Sequence, residues 1–338
     1  MGFSLRFLVN FALIAPPIAI TLGVLFGLQA QREATGGPPL FGGPSDGDGD
    51  EFAPDNAIKN NTYCQKAFGI HPESKGQEYT LNPNQWGWDE GEPGWLCMNV
   101  TSFNNQTYAT DTTAPEFSVT WEYPPGPQDA PVHAFPNIKV DGGVFPKALS
   151  AIKGVQLDFE WTMGVGNETV ATTDQTELTA ASVNANVAMD MFLDADKDKA
   201  TESSKAKYEI MVWFARIGPA THPIGLDDGS VAKVTINGTN FDLYVGQNGN
   251  KQNVLTWVSE DTADRFHGDL EPLIAKILEL EADPPAAAAG ATAVDYPSSA
   301  DFLGYLSLGT EAYSSSDSVT FHVPSLSIDI DTSGSARR

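Results

Sequence analysis

The sequence predicts an all-β fold, and three observations support this prediction. From about residue 58 to 260, short runs alternate apolar and polar residues, as in strands with one buried face; examples are Phe117–Trp121, Gly154–Trp161, Val183–Phe192 and Val231–Val245. Turn signals such as Asp141-Gly-Gly143 and Asn237-Gly238 separate the runs. Aromatic, Gly, Pro, Thr and Ser residues are abundant, and no repeat of about 20 to 50 residues is present. These features indicate a sandwich or barrel of antiparallel strands.

One helix is predicted, at about 270 to 281. Asp269 can cap it, Pro272 falls in its first turn, and an apolar stripe recurs at helical spacing: Leu270, Leu273, Ile274, Ile277 and Leu278. Residues 194–206 are predicted to form a polar loop, and residues 283–293 a second loop. Two or three further strands are predicted around 301–311 and 317–330.

The N-terminus is predicted to lie outside the folded domain. Residues 7 to 31 carry no charge, and the 22 residues from Phe7 to Leu28 match the about 20 apolar residues that span a bilayer. Residues 1–31 are therefore predicted to be a signal-anchor transmembrane helix or a signal peptide. Leu28 fits a cleavage site poorly and Pro16-Pro17 would kink a spanning helix, so both alternatives stay open. Residues 32–57 are rich in Gly, Pro and Asp and are predicted to form a disordered linker. Residues 58–332 are predicted to form the folded domain, and residues 333–338 a disordered tail.

Charge and cysteine content limit the partners and the compartment. The formal net charge of −25 argues against nucleic acid as a partner, and we expect a soluble, self-repelling monomer. Membrane association is expected only through the N-terminal segment. Five glycosylation sequons, with the apolar N-terminus, favour the secretory route: Asn60, Asn99, Asn105, Asn167 and Asn237. In that compartment Cys64 and Cys97 are expected to form a disulfide; the alternative is two buried free thiols.

The stretch from Lys207 to Ala215 predicts a strand with two contrasting faces. Side chains alternate across a strand, so Tyr208, Ile210, Val212 and Phe214 would face the core, while Glu209, Met211 and Trp213 would share the other face. A carboxylate in an apolar strand is costly to bury unless it is paired or functional. The alternative is a solvated glutamate on an open sheet face. Because Met211 and Trp213 share the face of Glu209, this face favours a groove that holds a ring-shaped ligand.

Several kinds of catalytic chemistry lack their motifs in this sequence. The five histidines are not spaced as metal ligands, and there is no Gly-x-Ser-x-Gly elbow, phosphate-binding loop or dinucleotide fingerprint. No metal and no cofactor are therefore predicted. Acidic and aromatic residues remain, which are the groups that glycoside hydrolysis uses. A second carboxylate is Glu311, which would share a strand face with Tyr305, Ser307 and Gly309, opposite Phe302, Leu306 and Leu308.

Ordered motifs over roughly residues 60 to 330 resemble glycoside hydrolase family 12. They are Asn84-Gln-Trp86-Gly87, Met189-Asp190-Met-Phe192, Tyr208-Glu-Ile-Met-Val-Trp213, Pro223-Ile-Gly225, Gly268-Asp-Leu270 and Gly309-Thr-Glu311. The resemblance implies a β-jelly-roll sandwich of two antiparallel sheets with a concave substrate cleft, and activity as a secreted endo-β-1,4-glucanase or a xyloglucan-specific relative. Ala312 departs from the pattern, since many relatives have proline after the acid/base.

The resemblance also implies a role for each site residue. Glu209 would be the nucleophile, Glu311 the acid/base, and Asp190 would share a proton or hydrogen bond with Glu209. A retaining mechanism would place the two glutamate carboxyls about 5 to 5.5 Å apart. Trp86 and Trp213 would stack on sugars, Met211 would pack under the cleaved position and Asn84 would bind hydroxyls.

We expect a retaining endoglucanase that cleaves cellulose-like or mixed-linkage β-1,4-glucan. Xyloglucan is the alternative substrate, because cleft loops set branch tolerance. A non-catalytic carbohydrate-binding jelly roll is the alternative of another class, since such a module would keep the tryptophans Trp86 and Trp213 without needing the three carboxyls. A structural sandwich of the cell surface is a further alternative.

Overall fold

The computed structural model describes residues 57–127, 130–285 and 293–332. The predicted signal-anchor or signal peptide at 1–31 and the predicted tail at 333–338 lie outside these residues. So do all but the last residue of the linker predicted at 32–57 and the larger part of the loop predicted at 283–293. Within the described ranges, no helix is both long and apolar enough to span a membrane.

The described ranges contain sixteen strands, three α-helices and two single-turn 3-10 helices, at Leu149–Ala151 and Leu226–Asp228. The strands are β1 (Ile58–Tyr63), β2 (Tyr79–Asn82), β3 (Trp95–Phe103), β4 (Glu116–Glu122), β5 (Asn137–Val140), β6 (Lys147–Ala148), β7 (Ile152–Val165), β8 (Asn184–Asp194), β9 (Tyr208–Ile217), β10 (Ala232–Ile236), β11 (Thr239–Gln247), β12 (Asn253–Ser259), β13 (Arg265–Asp269), β14 (Phe302–Gly309), β15 (Ala312–Ser314) and β16 (Val319–Thr332). The α-helices are α1 (Gln175–Ala180), α2 (Lys197–Ala200) and α3 (Glu271–Ala282).

The strands form two sheets, which confirms the predicted all-β sandwich. One sheet has six strands in the order β1-β3-β4-β16-β7-β13. The other has ten, with β10-β11-β12-β9-β8-β14-β5-β2 along its main path, β15 on β8 and β6 on β14. All pairings are antiparallel except β9 with β12, which run parallel. The Asn237-Gly238 turn joins β10 to β11 with φ of 48° and 91°, the left-handed values of a two-residue hairpin.

The core lies between the sheets, and β9 shows how the alternation builds it. Tyr208, Ile210, Val212 and Phe214 are buried in the main core, as predicted. Met211 and Trp213 face the other way, into a smaller cluster on the far side of the ten-stranded sheet. We call that far side the open face. Trp121, Trp161 and Trp257 are among the largest side chains buried in the main core.

Several sequence-based predictions of local structure are wrong. Two α-helices besides α3 are present, and one of them, α2, lies inside the predicted 194–206 loop. The helix predicted at about 270 to 281 is confirmed as α3, but its N-cap is Leu270 rather than Asp269, although the Asp269 carboxylate does accept the Glu271 N–H at 2.9 Å. A register shift between Leu303 and Tyr305 buries Leu303 and leaves Phe302 half-exposed, because one extra residue reverses the faces before it.

Candidate active site

Two neighbouring strands and the break after a third bring three carboxyl groups to the open face. Glu209 on β9 lies opposite Phe192 on β8, and Asp190 on β8 lies opposite Met211 on β9, so the two acids are diagonal neighbours. Asp190 also faces Ser307 across the β8–β14 pair. The antiparallel register, rather than closeness in sequence, assembles this part of the site.

Glu311 lies in a two-residue break between β14 and β15, not within a strand as predicted. Its backbone is nevertheless held to β8: the Glu311 N–H donates to Asn186 Oδ1 at 2.8 Å, and the Asn186 N–H donates to the Glu311 carbonyl at 3.3 Å. The Thr310 hydroxyl donates to the Asn186 carbonyl at 2.5 Å. These hydrogen bonds to Asn186 fix the Glu311 backbone although the residue lies outside a strand.

Two donors hold one oxygen of the Glu311 carboxyl. The Asn186 amide donates a short hydrogen bond to Glu311 Oε2, and the Tyr313 hydroxyl donates to the same atom at 3.2 Å. The His133 ring, through Nδ1, bonds the Tyr313 carbonyl at 2.8 Å and fixes that residue in turn. With Oε2 occupied by two donors, a proton on this carboxyl belongs on Oε1.

Glu209 has a single amide donor. Asn248, in the turn between β11 and β12, donates through Nδ2 to Glu209 Oε2 at 3.3 Å. Its own position is fixed, because Asn248 Oδ1 accepts the N–H groups of Asn250 and Gln252 at 3.0 and 3.1 Å. The hydrogen bond favours the charged carboxylate of Glu209.

Burial raises the proton affinity of all three carboxyls, and neighbouring negative charges raise it further for Glu311 and Asp190. Burial raises the pKa of Glu209 to about 7, against the Asn248 hydrogen bond, which lowers it. Burial and the Glu209 charge raise the pKa of Glu311 to about 7, while Tyr313 and Asn186 lower it. Burial, then Glu209 and then Glu311, raise the pKa of Asp190 far above its usual range. Asp190 is therefore the member of the group that keeps its proton at neutral pH.

The predicted sugar-binding residues divide into an exposed group and a buried group. Trp86 is 54% exposed, whereas Trp213 and Met211 are 2% and 5% exposed and pack with Phe135. Asn84 Nδ2 donates to the Phe135 carbonyl at 3.1 Å, which links the Trp86 segment to this cluster. Only Trp86 of the two predicted platforms presents a largely open ring.

Three site residues escaped the sequence analysis: Asn186, Asn248 and Tyr313. A signal existed for Asn186, since an amide in the otherwise apolar run from Ala185 to Met189 needs a buried partner. Asn248 lies in a polar turn where asparagine is common, so nothing distinguished it. Tyr313 follows Glu311 by two residues, but its hydroxyl contact depends on the break in the strand.

The Cys64–Cys97 disulfide is present, as predicted, and joins the end of β1 to β3. The sequon asparagines are all exposed: Asn60, Asn99, Asn105, Asn167 and Asn237.

Buried carboxyls of raised pKa on one open face of a sandwich are the kind of groups that glycoside hydrolysis uses. The profile of Glycosyl hydrolase family 12 matches residues 77–331, so the chain belongs to that family. This confirms the resemblance found in the sequence motifs.

Two relatives and two solved structures illustrate the similarity. The chain is 28% identical to the xyloglucan-specific endo-beta-1,4-glucanase A of Aspergillus niger, over 71% of this chain and 80% of the relative. It is 28% identical to the enzyme of the same name from Emericella nidulans, over 73% of this chain and 83% of the relative. Endoglucanase 3 of Trichoderma harzianum superposes with a TM-score of 0.60 at 23% identity, over 80% of this chain and 98% of that chain. A family 12 xyloglucanase from Bacillus licheniformis superposes with a TM-score of 0.57 at 15% sequence identity, over 80% of this chain and 99% of that chain. At these identities the two structures support the fold alone.

Proposed function

We propose that this protein is a retaining endo-β-1,4-glucanase in which Glu209 is the nucleophile and Glu311 the acid/base. The observation that carries the proposal is the shared open face of Glu209, Asp190 and Glu311, where each pKa is raised. Two carboxyls with separate proton occupancy are what double displacement requires.

In the first step, the Glu209 carboxylate attacks the anomeric carbon. Glu311 gives the proton on Oε1 to the glycosidic oxygen, the C–O bond to the leaving sugar breaks, and a glycosyl ester forms on Glu209. The charge of Glu209 supports this assignment, because it raises the pKa of Glu311 and so favours the proton on that carboxyl. The Asn248 hydrogen bond holds the Glu209 carboxylate in place.

In the second step, the Glu311 carboxylate removes a proton from water. The resulting hydroxide equivalent attacks the anomeric carbon and displaces Glu209, so the product keeps its original configuration. Asn186 and Tyr313 support this step, because both donate to the oxygen of Glu311 that carries no proton.

Asp190, a diagonal neighbour of Glu209, is proposed to remain protonated and to donate to Glu209 during the reaction. A neutral acid beside the nucleophile adds no third negative charge, and its proton stabilises the Glu209 carboxylate as it leaves the sugar. Trp86 offers an apolar ring to a sugar face, Asn84 binds hydroxyls near Phe135, and Met211 and Trp213 form the floor beneath the cleaved unit.

The test compares wild type with Glu209→Gln and Glu311→Gln on barley β-glucan, carboxymethylcellulose and xyloglucan. Each substitution should lower kcat by about 10²-fold or more, since general acid–base catalysis alone contributes roughly 10²–10⁴-fold. Glu160→Gln is the matched control: its carboxylate pairs with Arg265 at 2.8 Å on the six-stranded sheet, and its activity should be unchanged. Near-full activity in either site variant would refute the assignment.

Xyloglucan is the second candidate substrate. The relatives from Aspergillus niger and Emericella nidulans are both named as xyloglucan-specific. A kcat/KM on xyloglucan about tenfold or more above that on barley β-glucan would establish this preference. The reverse ratio would establish the unbranched substrate.

We also propose that the protein enters the secretory pathway and acts outside the cell. The five sequons and the Cys64–Cys97 disulfide support this. N-terminal sequencing of the mature protein distinguishes the two alternatives for residues 1–31. A start near Gln31 means a cleaved signal peptide, and an intact N-terminus means an anchor.

A further inference from the structure

The outer face of the six-stranded sheet, turned away from the core, carries a groove of about 500 Å³. We call it the outer groove; it lies over the ends of β3, β4 and β16, and its walls include Thr101, Phe103, Thr107, Tyr108, Glu116 and Ser325. Phe103 points outward because it alternates with buried Ser102 and Val100 along β3. The carboxyl cluster lies on the opposite side of the molecule, on the open face of the other sheet.

The chain makes a compact turn at the rim of this groove. The Gln106 N–H donates to the Phe103 carbonyl at 3.0 Å, and Gln106 adopts a left-handed φ of 58°. The Thr107 N–H donates to the side-chain oxygen of Asn105 at 3.2 Å. This turn places Phe103 and Thr107 in the same groove, with exposed Asn105 between them.

Asn105 and Thr107 are the first and third residues of a sequon. The hydrogen bond from Thr107 to the Asn105 oxygen is local, so it can form before the domain folds. Of the five sequons, that of Asn105 alone has an aromatic residue two positions before the asparagine. The residues at that position in the others are Ile58, Cys97, Val165 and Thr235.

The Phe103 ring is already held in place. It meets Tyr108 edge to face, with ring centroids 5.3 Å apart and an 80° angle between the planes. Tyr108 is fixed by its hydroxyl, which donates to the Glu73 carbonyl at 2.8 Å and accepts the Phe103 N–H at 3.2 Å. A sugar that packs on Phe103 therefore meets a preorganised apolar surface and loses little ordering entropy.

We propose that Asn105 carries an N-linked glycan whose first N-acetylglucosamine packs on Phe103 and Thr107 and occupies the outer groove. The sugar's C–H face covers the ring, and its attachment at the rim sets its position. The modification stabilises the end of β3 and the turn after it. It rests on entry into the secretory pathway and does not depend on the hydrolase activity.

The covalent step uses a lipid-linked oligosaccharide pyrophosphate as donor. The bond between the sugar C1 and the pyrophosphate oxygen breaks, and a bond from C1 to Asn105 Nδ2 forms. The amide nitrogen gives up one proton, and the lipid pyrophosphate is the leaving group.

The test uses the full chain secreted from yeast, with glycopeptide mass spectrometry and thermal unfolding. Asn105 should be occupied, and Asn105→Gln should lower Tm by about 2–4 °C, which corresponds to about 1 kcal/mol in a domain of this size. In a Phe103→Leu background, which keeps an apolar side chain, the same substitution should lower Tm by less, because only the loss of the Asn105–Thr107 hydrogen bond remains. Asn167→Gln is the matched control without an aromatic partner and should not change Tm.

Protein made in a bacterial host, which adds no glycan, isolates the effect of the sugar. There, Asn105→Gln loses only the Asn105–Thr107 hydrogen bond, so its Tm should fall by less than in the secreted protein, and an equal fall in both hosts would overturn the proposal. An unoccupied Asn105 in the secreted protein would overturn the proposal. An Asn105→Gln loss of Tm that is equal with and without the Phe103→Leu substitution would also overturn it. Activity on glucan is not part of either readout, so failure here is separate from failure of the proposed function.

Discussion

The Tyr313 hydroxyl and the Glu311 carboxyl meet at 3.2 Å, and the contact is to the same oxygen that the Asn186 amide holds. The proposed acid/base is therefore held on one side only. Its other oxygen is left to carry the proton. This asymmetry leads to the first two predictions.

Tyr313→Phe should move the alkaline limb of the pH profile of kcat upward. The hydroxyl favours the charged form of Glu311, so its loss raises the pKa of that carboxyl by about one unit, from about 7. Because activity needs protonated Glu311, the enzyme then keeps activity to higher pH. Tyr63→Phe is the control, since that ring stacks on Phe68 beside the other sheet. An unchanged alkaline limb would mean that the Tyr313 hydroxyl does not influence the pKa of Glu311 and that the residue serves only in packing.

Asn186→Ala should lower kcat by about 10²-fold with little change in KM. The amide fixes both the backbone and the side chain of Glu311. Misplacing a catalytic group by about 1 Å can lower the rate by about 10²-fold. Asn184→Ala is the comparison on the same strand, because Asn184 bonds Ser182 and Ser314 instead. Equal losses in both variants would point to general damage of β8.

Trp86→Ala should raise KM about tenfold on polysaccharide and leave kcat nearly unchanged. The exposed ring is proposed to bind sugar equally in the ground state and the transition state, and such uniform binding affects KM alone. Trp95→Ala removes a ring that is 41% exposed on β3 of the other sheet, and its KM should match the wild type. A fall in kcat for Trp86→Ala, with KM unchanged, would instead place Trp86 at the reacting centre.

Stability should fall as pH rises from about 4.5 to about 7. Burial raises the folded-state pKa of Glu209 and Glu311 to about 7, so the folded protein binds more protons than the unfolded chain in this window. Glu209→Gln should therefore be more stable than wild type at pH 8, by about 1 to 2 kcal/mol after allowance for its partial exposure. The two proteins should unfold alike near pH 4. Urea unfolding at both pH values measures this, and a wild type that is more stable at pH 8 would contradict the sign.

The two-residue alternation of strands predicted much of the fold and part of the site. Alternation in β9 correctly separated Ile210 and Val212 from Glu209 and Met211, because a two-residue period is independent of the partner strand. The same reasoning failed near Phe302, where one extra residue reverses the faces. The local signal was Gly304, the unpaired residue at the shift, because an isolated glycine within a strand often marks a bulge.

Contacts that depend on cross-strand register could not be predicted. Asn186 reaches Glu311 from 125 positions away, and Asn248 reaches Glu209 from 39. Trp213 was correctly assigned to the open face, but its burial depends on Phe135 and Val254, which other strands and loops supply. The sequence alone therefore shows which side a residue faces and not what covers it.

The most direct test of the account traps the covalent intermediate. A 2-deoxy-2-fluoro cellobioside with a good leaving group should inactivate the enzyme, and peptide mass spectrometry should find the added sugar on Glu209. Label on Glu311 or Asp190, or no label together with a product of inverted anomeric configuration, would contradict it.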